Sequence, residues 1–276
     1  MKRFILIGSP IAHSLSPLLH NFFAAQFKLK IQYELQEATI DTYPEILSRF
    51  ICNGGDGVNI TAPLKIIAVH NLKYLDKTAY YANAVNTLKI HRNGMLYGYN
   101  TDGIGLLRDL ERNLVPVRNS EILILGAGGA ARGILAALIS KFPKKITLVN
   151  RDTNKAAQIA NDFSVLKVIT VVQPKDLASI NANLILNTTS SLALDYIDKV
   201  NFSNAVCYDL NYTPRLTEFM KTAQNNGALY VFNGLGMLIE QAAEAFKLWH
   251  GVNPDTHKAL EHLHANTGQK SLINGL

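Results

Sequence analysis

The sequence predicts an α/β protein of two domains, with its C-terminal helices returning to the first. Three observations carry this. Short β-rich runs alternate with helix-length segments almost throughout the 276 residues, the pattern of βαβ units and parallel sheets. The runs between 121 and 150 are nearly all apolar, as strands buried on both faces are. After a loop-like "LVPVRNS" containing Pro116, the chain restarts with "EILILGAGGAARGILAALISKF", a strong strand–turn–helix. The expected division is 1–103 plus 235–276 for one domain and 104–234 for the other.

In chain order, "RFILI" (3–7) is a short apolar run and reads as the first strand. "SPLLHNFFAAQF" (16–27) repeats apolar residues at three and four, with Pro17 near its start, and reads as a helix. "QYELQEA" (32–38) and "GVNIT" (57–61) are the next strands. "NTLKIH" (86–91) and "GMLYGYN" (94–100) read as a hairpin feeding the helix that leads to the second domain. That domain takes "EILILG" (121–126), "KITLVN" (145–150), "VITVV" (168–172), "LILNTT" (184–189), "AVCYDL" (205–210) and "LYVFNG" (229–234) as strands, with "TEFMKTAQNNG" (217–227) a helix. From Leu235 on, "GMLIEQAAEAFKLWHG" (236–251) and "PDTHKALEHLHAN" (254–266) are helical, with no strand partner expected.

Composition narrows the class. Hydrophobic residues make up 48% and charged residues 17%, which is globular. "FILIG" is too short for the apolar core of a signal peptide, and no run reaches the roughly 18 apolar residues that span a bilayer. Cys52 and Cys207 match no metal or redox spacing and read as reduced thiols of a cytoplasmic protein. The formal net charge is +6, but the basic residues are scattered. That argues for a solvated surface, or a cleft biased toward small anions, rather than a nucleic-acid face. His257, His262 and His264 sit on a polar helix without acidic or thiol partners, so no metal is expected. With no apolar helix face left over, a monomer or weak homodimer is expected.

"GAGGAARG" holds Gly126, Gly128 and Ala131 in the register G-x-G-x-x-A, after a strand and opening a helix. In that context the motif is a dinucleotide-binding turn, whose backbone amides meet a pyrophosphate at the helix N-terminus. The next strand ends "VNRDTNK". Asn150 and Arg151 stand where an NAD-binding fold carries Asp or Glu. Arginine's planar fork suits a 2′-phosphate, and Lys155 adds charge, so NADP is favoured. Asp152 points the other way: turned inward, it would repel a phosphate or accept from a free ribose.

The first domain carries polar groups at the ends of its strands. Ser14 and Ser16 are two hydroxyls, two residues apart at a strand-to-helix turn, suited to cradling a carboxylate. Ser16 also reads as an ordinary N-cap with Pro17 first in the helix. "NITAPLK" places Asn59, Thr61 and Lys65 at a strand end. If Pro63 opens the helix, Lys65 lies in its first turn, where the dipole disfavours a cation; such a lysine suits proton transfer. "NAVNTL" supplies Asn86, and "YNTDG" supplies Asn100, Thr101 and Asp102, the last also explicable as a helix-start carboxylate.

Together "GSPIAHSLSP", "NITAPLK", "NAVNTL", "GYNTDG", "GAGGAARG", "NR", "YDLNYTP" and "NGLGMLIEQAAEAF" resemble the shikimate dehydrogenase family over nearly the whole chain. The resemblance implies a Rossmann-like NADP-binding domain beside a substrate domain, and NADPH-dependent reversible reduction of 3-dehydroshikimate to shikimate. It implies that Ser14 and Ser16 bind the substrate carboxylate, that Thr61, Asn86 and Asp102 bind ring hydroxyls, and that Lys65 is the general acid/base beside Asp102. Tyr212 and Gln241 complete that pocket, and Asn59 is grouped with it. Gly126, Ala127, Gly128, Gly129 and Ala130 take the pyrophosphate. Asn150, Arg151 and Lys155 take the adenosine phosphate. Thr188, Leu210, Gly234 and Met237 are assigned to the cofactor, with Leu210 and Gly234 on the nicotinamide side. Two departures, Asp152 where the family often has Thr and Lys155 one place from a common Arg, leave room for a quinate/shikimate enzyme of broader cofactor use. A non-catalytic NADP-binding regulator is the remaining alternative, against which Lys65 and Asp102 together argue.

Overall fold

The computed structural model describes residues 1–70, 72–91, 93–164, 168–189, 195–213, 215–267 and 272–273. It divides into two compact units, one of residues 1–106 with 238–263, the other of 107–237 with 264–276.

The first unit begins with β1 (Lys2–Gly8), α1 (Ser16–Gln26), β2 (Ile31–Glu37), α2 (Tyr43–Cys52) and β3 (Gly57–Ile60). It continues with α3 (Ile67–His70), β4 (Tyr74–Leu75), α4 (Lys77–Ala82), β5 (Thr87–Ile90), β6 (Leu96–Tyr99) and the start of α5 (Asp102–Arg112). Its six-stranded sheet has the order β2-β1-β3-β5-β6-β4. β1 pairs parallel with β2 and β3. The expected hairpin is present as the antiparallel β5–β6 pair, and β5 also runs antiparallel to β3.

β1 is apolar throughout its middle because both its faces are covered. Ile5 and Ile7 join Tyr43, Val58, Leu64 and Leu88 in one cluster. Phe4 and Leu6 join Tyr33 and Trp249 in another. Each such side chain contributes about 1.5–3 kcal/mol on burial. Strand alternation thus places α9 (Leu235–His250), through Trp249, on the face opposite α2.

The Trp249 cluster is stacked on histidines. His20 lies 4.5 Å from the Tyr33 ring and 5.2 Å from Trp249, and Phe246 stacks on His250 at 4.3 Å. Burial, helped by the His250 charge, pulls His20 down to about 3. Burial and the Lys2 charge pull His250 down to about 4. The unfolded chain, with histidines near 6.5, binds more protons than the folded one between these values. Stability is therefore complete above about pH 6.5 and is lost as pH falls toward 4. The thermal midpoint is expected to fall over that window, and His20→Phe to flatten the fall. An unchanged slope in the variant would remove His20 from this account.

The second unit holds β7 (Glu121–Leu125), α6 (Gly129–Ile139), β8 (Lys145–Val149), α7 (Thr153–Asp162) and β9 (Ile169–Val172). β10 (Leu184–Asn187), β11 (Val206–Asp209), α8 (Glu218–Asn225) and β12 (Tyr230–Asn233) follow. After α9 come α10 (Thr256–Thr267) and β13 (Leu272–Ile273). The sheet order is β13-β12-β11-β10-β7-β8-β9, parallel except where β13 meets β12. The order reverses at β7, between β8 and β10, which is where open α/β sheets bind ligands.

One expectation is overturned here. The C-terminal segment does have a strand partner: Phe232 and Val231 of β12 pair with Leu272 and Ile273. A two-residue strand is too short for periodicity to reveal, and the outer edge of β12 accepts it.

Candidate active site

In the first unit, Lys65, Asp102, Asn86, Thr101 and Gln241 form one polar network. Lys65 Nζ donates to Asp102 Oδ2 at 2.6 Å, with Asp102 almost fully buried. Asp102 Oδ1 accepts from Asn86 Nδ2 at 2.8 Å. Asn86 Nδ2 also lies 2.9 Å from Thr101 Oγ1 and 3.4 Å from Gln241 Oε1. The Asn86 side-chain carbonyl in turn accepts the Thr101 backbone amide at 2.9 Å. Asp102 is the first residue of α5 and carries its charge at the positive end of that helix. The β5–β6 hairpin and α9 bring Asn86 and Gln241 to it.

Lys65 is not where the sequence placed it. Residues 61–66 form turns, and α3 begins only at Ile67. The Lys65 carbonyl accepts the Val85 amide at 2.7 Å, a tertiary pairing that takes it away from helical bonding. The helix-dipole argument for this lysine therefore does not apply. Its ammonium is placed instead by Asp102.

Ser14 and Ser16 do come together, with their hydroxyl oxygens 3.1 Å apart. The expected N-cap role of Ser16 is also corrected. Ser16 is the first helical residue and Leu15 is the N-cap, without a side-chain cap bond. The Ser14 hydroxyl accepts the Ser16 amide at 3.2 Å. The hydroxyl of Ser14 thus does the local work at this helix start, because it is the side chain that reaches back to the first amide.

Thr61 donates its amide to the Ile7 carbonyl, which holds it at the end of β1. Asn59 is buried on β3, and its side chain is fully engaged. Oδ1 accepts from Tyr33 at 2.7 Å, while Nδ2 donates to Thr87 Oγ1 at 3.0 Å and to the Asn86 carbonyl at 3.3 Å. It braces the strand that carries Asn86. Asn100 is structural too, bonding the Ala84 carbonyl and the Asp102 amide. Tyr212 lies in the loop after β11, in the second unit rather than with the other substrate candidates.

The second unit gathers the dinucleotide candidates at the ends of β7, β8, β10 and β11. Gly126 has φ +109°, a conformation open to glycine, and a Cβ there would meet Thr188 Oγ1 at 2.6 Å. Thr188 donates both amide and hydroxyl to the Leu125 carbonyl at 2.9 Å, locking the turn. Gly128 is exposed with open space over its α-carbon. α6 starts at Gly129 with no side-chain cap, which leaves the first amides to an anionic ligand. Gly234 sits so close to β11 that a Cβ would lie 2.1 Å from the Leu210 carbonyl oxygen. The residues present fit a dinucleotide.

Asp152 does not take the ambiguous role. Its carboxylate accepts the amides of Asn154 and Lys155 and caps α7. Asn150 Nδ2 holds the Asp152 carbonyl at 2.9 Å. Arg151 is exposed and lies 3.4 Å from Asp195, a loose surface pair of little net strength. Lys155 is exposed on the first turn of α7.

The sequence reading missed a set of buried polar groups, Asn187, Asp209 and, on α5, Asp109, with the half-buried Asn211 bonded to them. Their signal was a polar residue ending an otherwise apolar strand, "LILN" and "VCYD". Among the described residues, no cluster of His, Cys, Asp and Glu suits a metal ion, and no helix is long and apolar enough to cross a membrane. His262 is packed on Phe22 at 4.3 Å.

The chain is similar to known proteins over nearly its whole length. The model of the shikimate dehydrogenase substrate binding domain matches residues 6–88, the shikimate / quinate 5-dehydrogenase model 109–205, and the shikimate 5'-dehydrogenase C-terminal domain 234–264. The shikimate dehydrogenase (NADP(+)) of Aeromonas salmonicida is 39% identical over 97% of this chain and 99% of its own. That of Nitrosomonas europaea is 39% identical over 96% and 98%. The shikimate 5-dehydrogenase of Thermus thermophilus, solved in complex with NADP(H) and shikimate, superposes with a TM-score of 0.83 at 32% identity, covering 96% of this chain and 99% of that one.

Proposed function

The chain belongs to the shikimate dehydrogenase family, and from that premise we propose that it catalyses the NADPH-dependent, reversible reduction of 3-dehydroshikimate to shikimate, within the shikimate pathway to chorismate and the aromatic amino acids. The observation that carries the proposal is the Lys65–Asp102 ion pair at 2.6 Å, tied through Asn86 to Gln241. A binding module has no need of a cation held against a nearly buried carboxylate.

The substrate role belongs to residues 1–103 with 235–276, and the cofactor role to 104–234. The Ser14 and Ser16 hydroxyls donate to the substrate carboxylate, and the +6 net charge favours an anionic ligand. Thr61, Asn86 and Asp102 hold the ring hydroxyls, and Tyr212 and Gln241 complete the set of substrate residues. NADPH, when bound, supplies the hydride that reduces the C3 carbonyl. Lys65 donates a proton to the oxygen at C3 as its negative charge develops, and in the reverse direction takes it back. Asp102 accepts from the same hydroxyl and keeps the ammonium aimed at it. Arg151 and Asn150 bind the 2′-phosphate, with Lys155 adding charge, and residues 126–130 bind the pyrophosphate. The protein acts in the cytoplasm as a monomer or weak homodimer, with no nucleic-acid partner.

Absorbance of the nicotinamide with shikimate or quinate and NADP or NAD, in all four pairings, tests the proposal. Rapid reduction with shikimate and NADP alone supports it, and no turnover in any pairing overturns it. A broader quinate/shikimate enzyme is the second reading, left open by Lys155 standing one place from a common Arg of the family, and turnover with NAD or quinate would select it. Arg151→Ala is expected to raise KM for NADPH by about tenfold or more, the scale of a lost charge-assisted bond, while leaving NADH kinetics unchanged. Equal effects on both cofactors would remove Arg151 from the phosphate site.

A further inference from the structure

β11 ends in two fully buried polar residues, Tyr208 and Asp209, which point to opposite faces of the sheet. Asp209 is a carboxylate deep in the second unit whose hydrogen-bond donors are all neutral. Oδ1 accepts from Asn187 Nδ2 at 3.0 Å, the Asn211 amide at 3.0 Å and Asn211 Nδ2 at 2.7 Å. Oδ2 accepts the Thr217 hydroxyl at 2.5 Å. Burial pushes this carboxyl up, against the pull of those donors.

These donors come from separate segments: the end of β10, the loop after β11 and the N-cap of α8. Asn211 Nδ2 also donates to the Thr189 carbonyl at 2.7 Å. Asn187 Oδ1 accepts the Thr189 amide at 3.0 Å and its hydroxyl at 2.8 Å. The Asn211 carbonyl accepts the Gly234 amide at 3.0 Å. One carboxylate therefore ties the loop after β10, with Thr188, to the loop after β11, with Leu210 and Tyr212, and through Asn211 to Gly234. Those are the cofactor candidates whose own side chains offer little chemistry: an aliphatic, a glycine and a threonine already bonded to Leu125.

We propose that Asp209 is the positioning residue of the nicotinamide end of the cofactor site, setting the loops 187–189 and 210–212 against Gly234. The inference rests on the cofactor assignment made above. The adenosine end, at residues 126–130, 150 and 151, takes no direct bond from Asp209 and is reached only through Thr188, whose own bonds go to the Leu125 carbonyl, so the nicotinamide end is expected to respond the more strongly.

The test is fluorescence titration of the purified full chain with NADPH, and competition by adenosine 2′,5′-bisphosphate, which carries the 2′-phosphate and one phosphate of the bridge but no nicotinamide. Asp209→Ala is expected to weaken NADPH by about tenfold, the scale of one or two misplaced hydrogen bonds, while leaving the bisphosphate within about twofold. Asp209→Asn keeps Oδ1 for three donors and turns its amide to the Thr217 oxygen, so it should restore near wild-type NADPH affinity. Asn211→Ala, which removes the link to Thr189, should weaken NADPH in the same selective way and decides the matter if the alanine at 209 does not fold. Unchanged NADPH affinity in the folded variants, or parallel loss of both ligands, overturns the proposal. A wild-type protein that binds neither ligand overturns the cofactor assignment itself.

Discussion

Lys65→Ala is expected to lower kcat by about 10²–10⁴-fold, the range that a positioned acid or base supplies, while NADPH and shikimate still bind. The expectation follows from where the ammonium is held. A 2.6 Å contact to a nearly buried carboxylate fixes its direction, and the turn of residues 61–66 holds its backbone through the Val85 amide. Lys65→Arg should not rescue turnover, because guanidinium stays protonated and cannot take the proton in the reverse direction. Steady-state absorbance at the nicotinamide band, with binding measured separately by fluorescence, separates chemistry from affinity. More than a tenth of wild-type kcat in the alanine variant would falsify the assigned role.

Asp102→Asn is the second large effect. Both carboxylate oxygens are in use, one by Lys65 and one by Asn86. An amide in that place must turn a donor toward one of two donors. Turnover should fall by about 10²-fold or more, because Lys65 loses its aim and the C3 hydroxyl loses an acceptor. KM for shikimate should rise with it, since the Asn86 side chain is released. Asp102→Ala should also destabilise the fold by up to about 3 kcal/mol, the low end for breaking a buried pair, as Lys65 keeps some solvent contact. A wild-type KM in the Asn variant, measured alongside its thermal midpoint, would show that Asp102 does not touch the substrate.

The legible part of this protein was local. β1, β7 and β10 announce themselves because a strand covered on both faces is apolar along its length. The dinucleotide turn is legible because three small residues in a fixed register, after a strand and before a helix, have few other uses. The cap at Asp152 was not read from the sequence, which weighed that residue only against a phosphate or a ribose, although an aspartate directly before a helical run has an ordinary role. Its carboxylate is spent on two amides of its own helix, which removes the apparent argument against NADP.

Other features needed the folded chain. Lys65 looked like the first turn of a helix, because proline two places before it favours that reading. The Val85 amide, from a segment twenty residues on, claimed its carbonyl instead. The strand at 272–273 exists only because β12 offers an edge. Asp209 was quoted as part of a family string, yet nothing in that string says that its oxygens gather Asn187, Asn211 and Thr217.

By itself, then, the sequence determined the α/β class, the glycine-rich turn that opens α6, the residue types at the strand ends and the family that their order resembles. All of these depend on neighbours within about one strand–turn–helix, where period and turn chemistry act directly. Tertiary structure fixed how Lys65 meets Asp102, a pairing that the family resemblance implied, and that Asn86 reaches Gln241, separated by 37 and 155 positions along the chain. It also decided which of the polar residues face one another and which, like Asn59, are consumed in bracing a strand. Such pairings arise from sheet order and helix return, which bring distant segments together, and no local pattern encodes the distance between two side chains that only the fold makes neighbours.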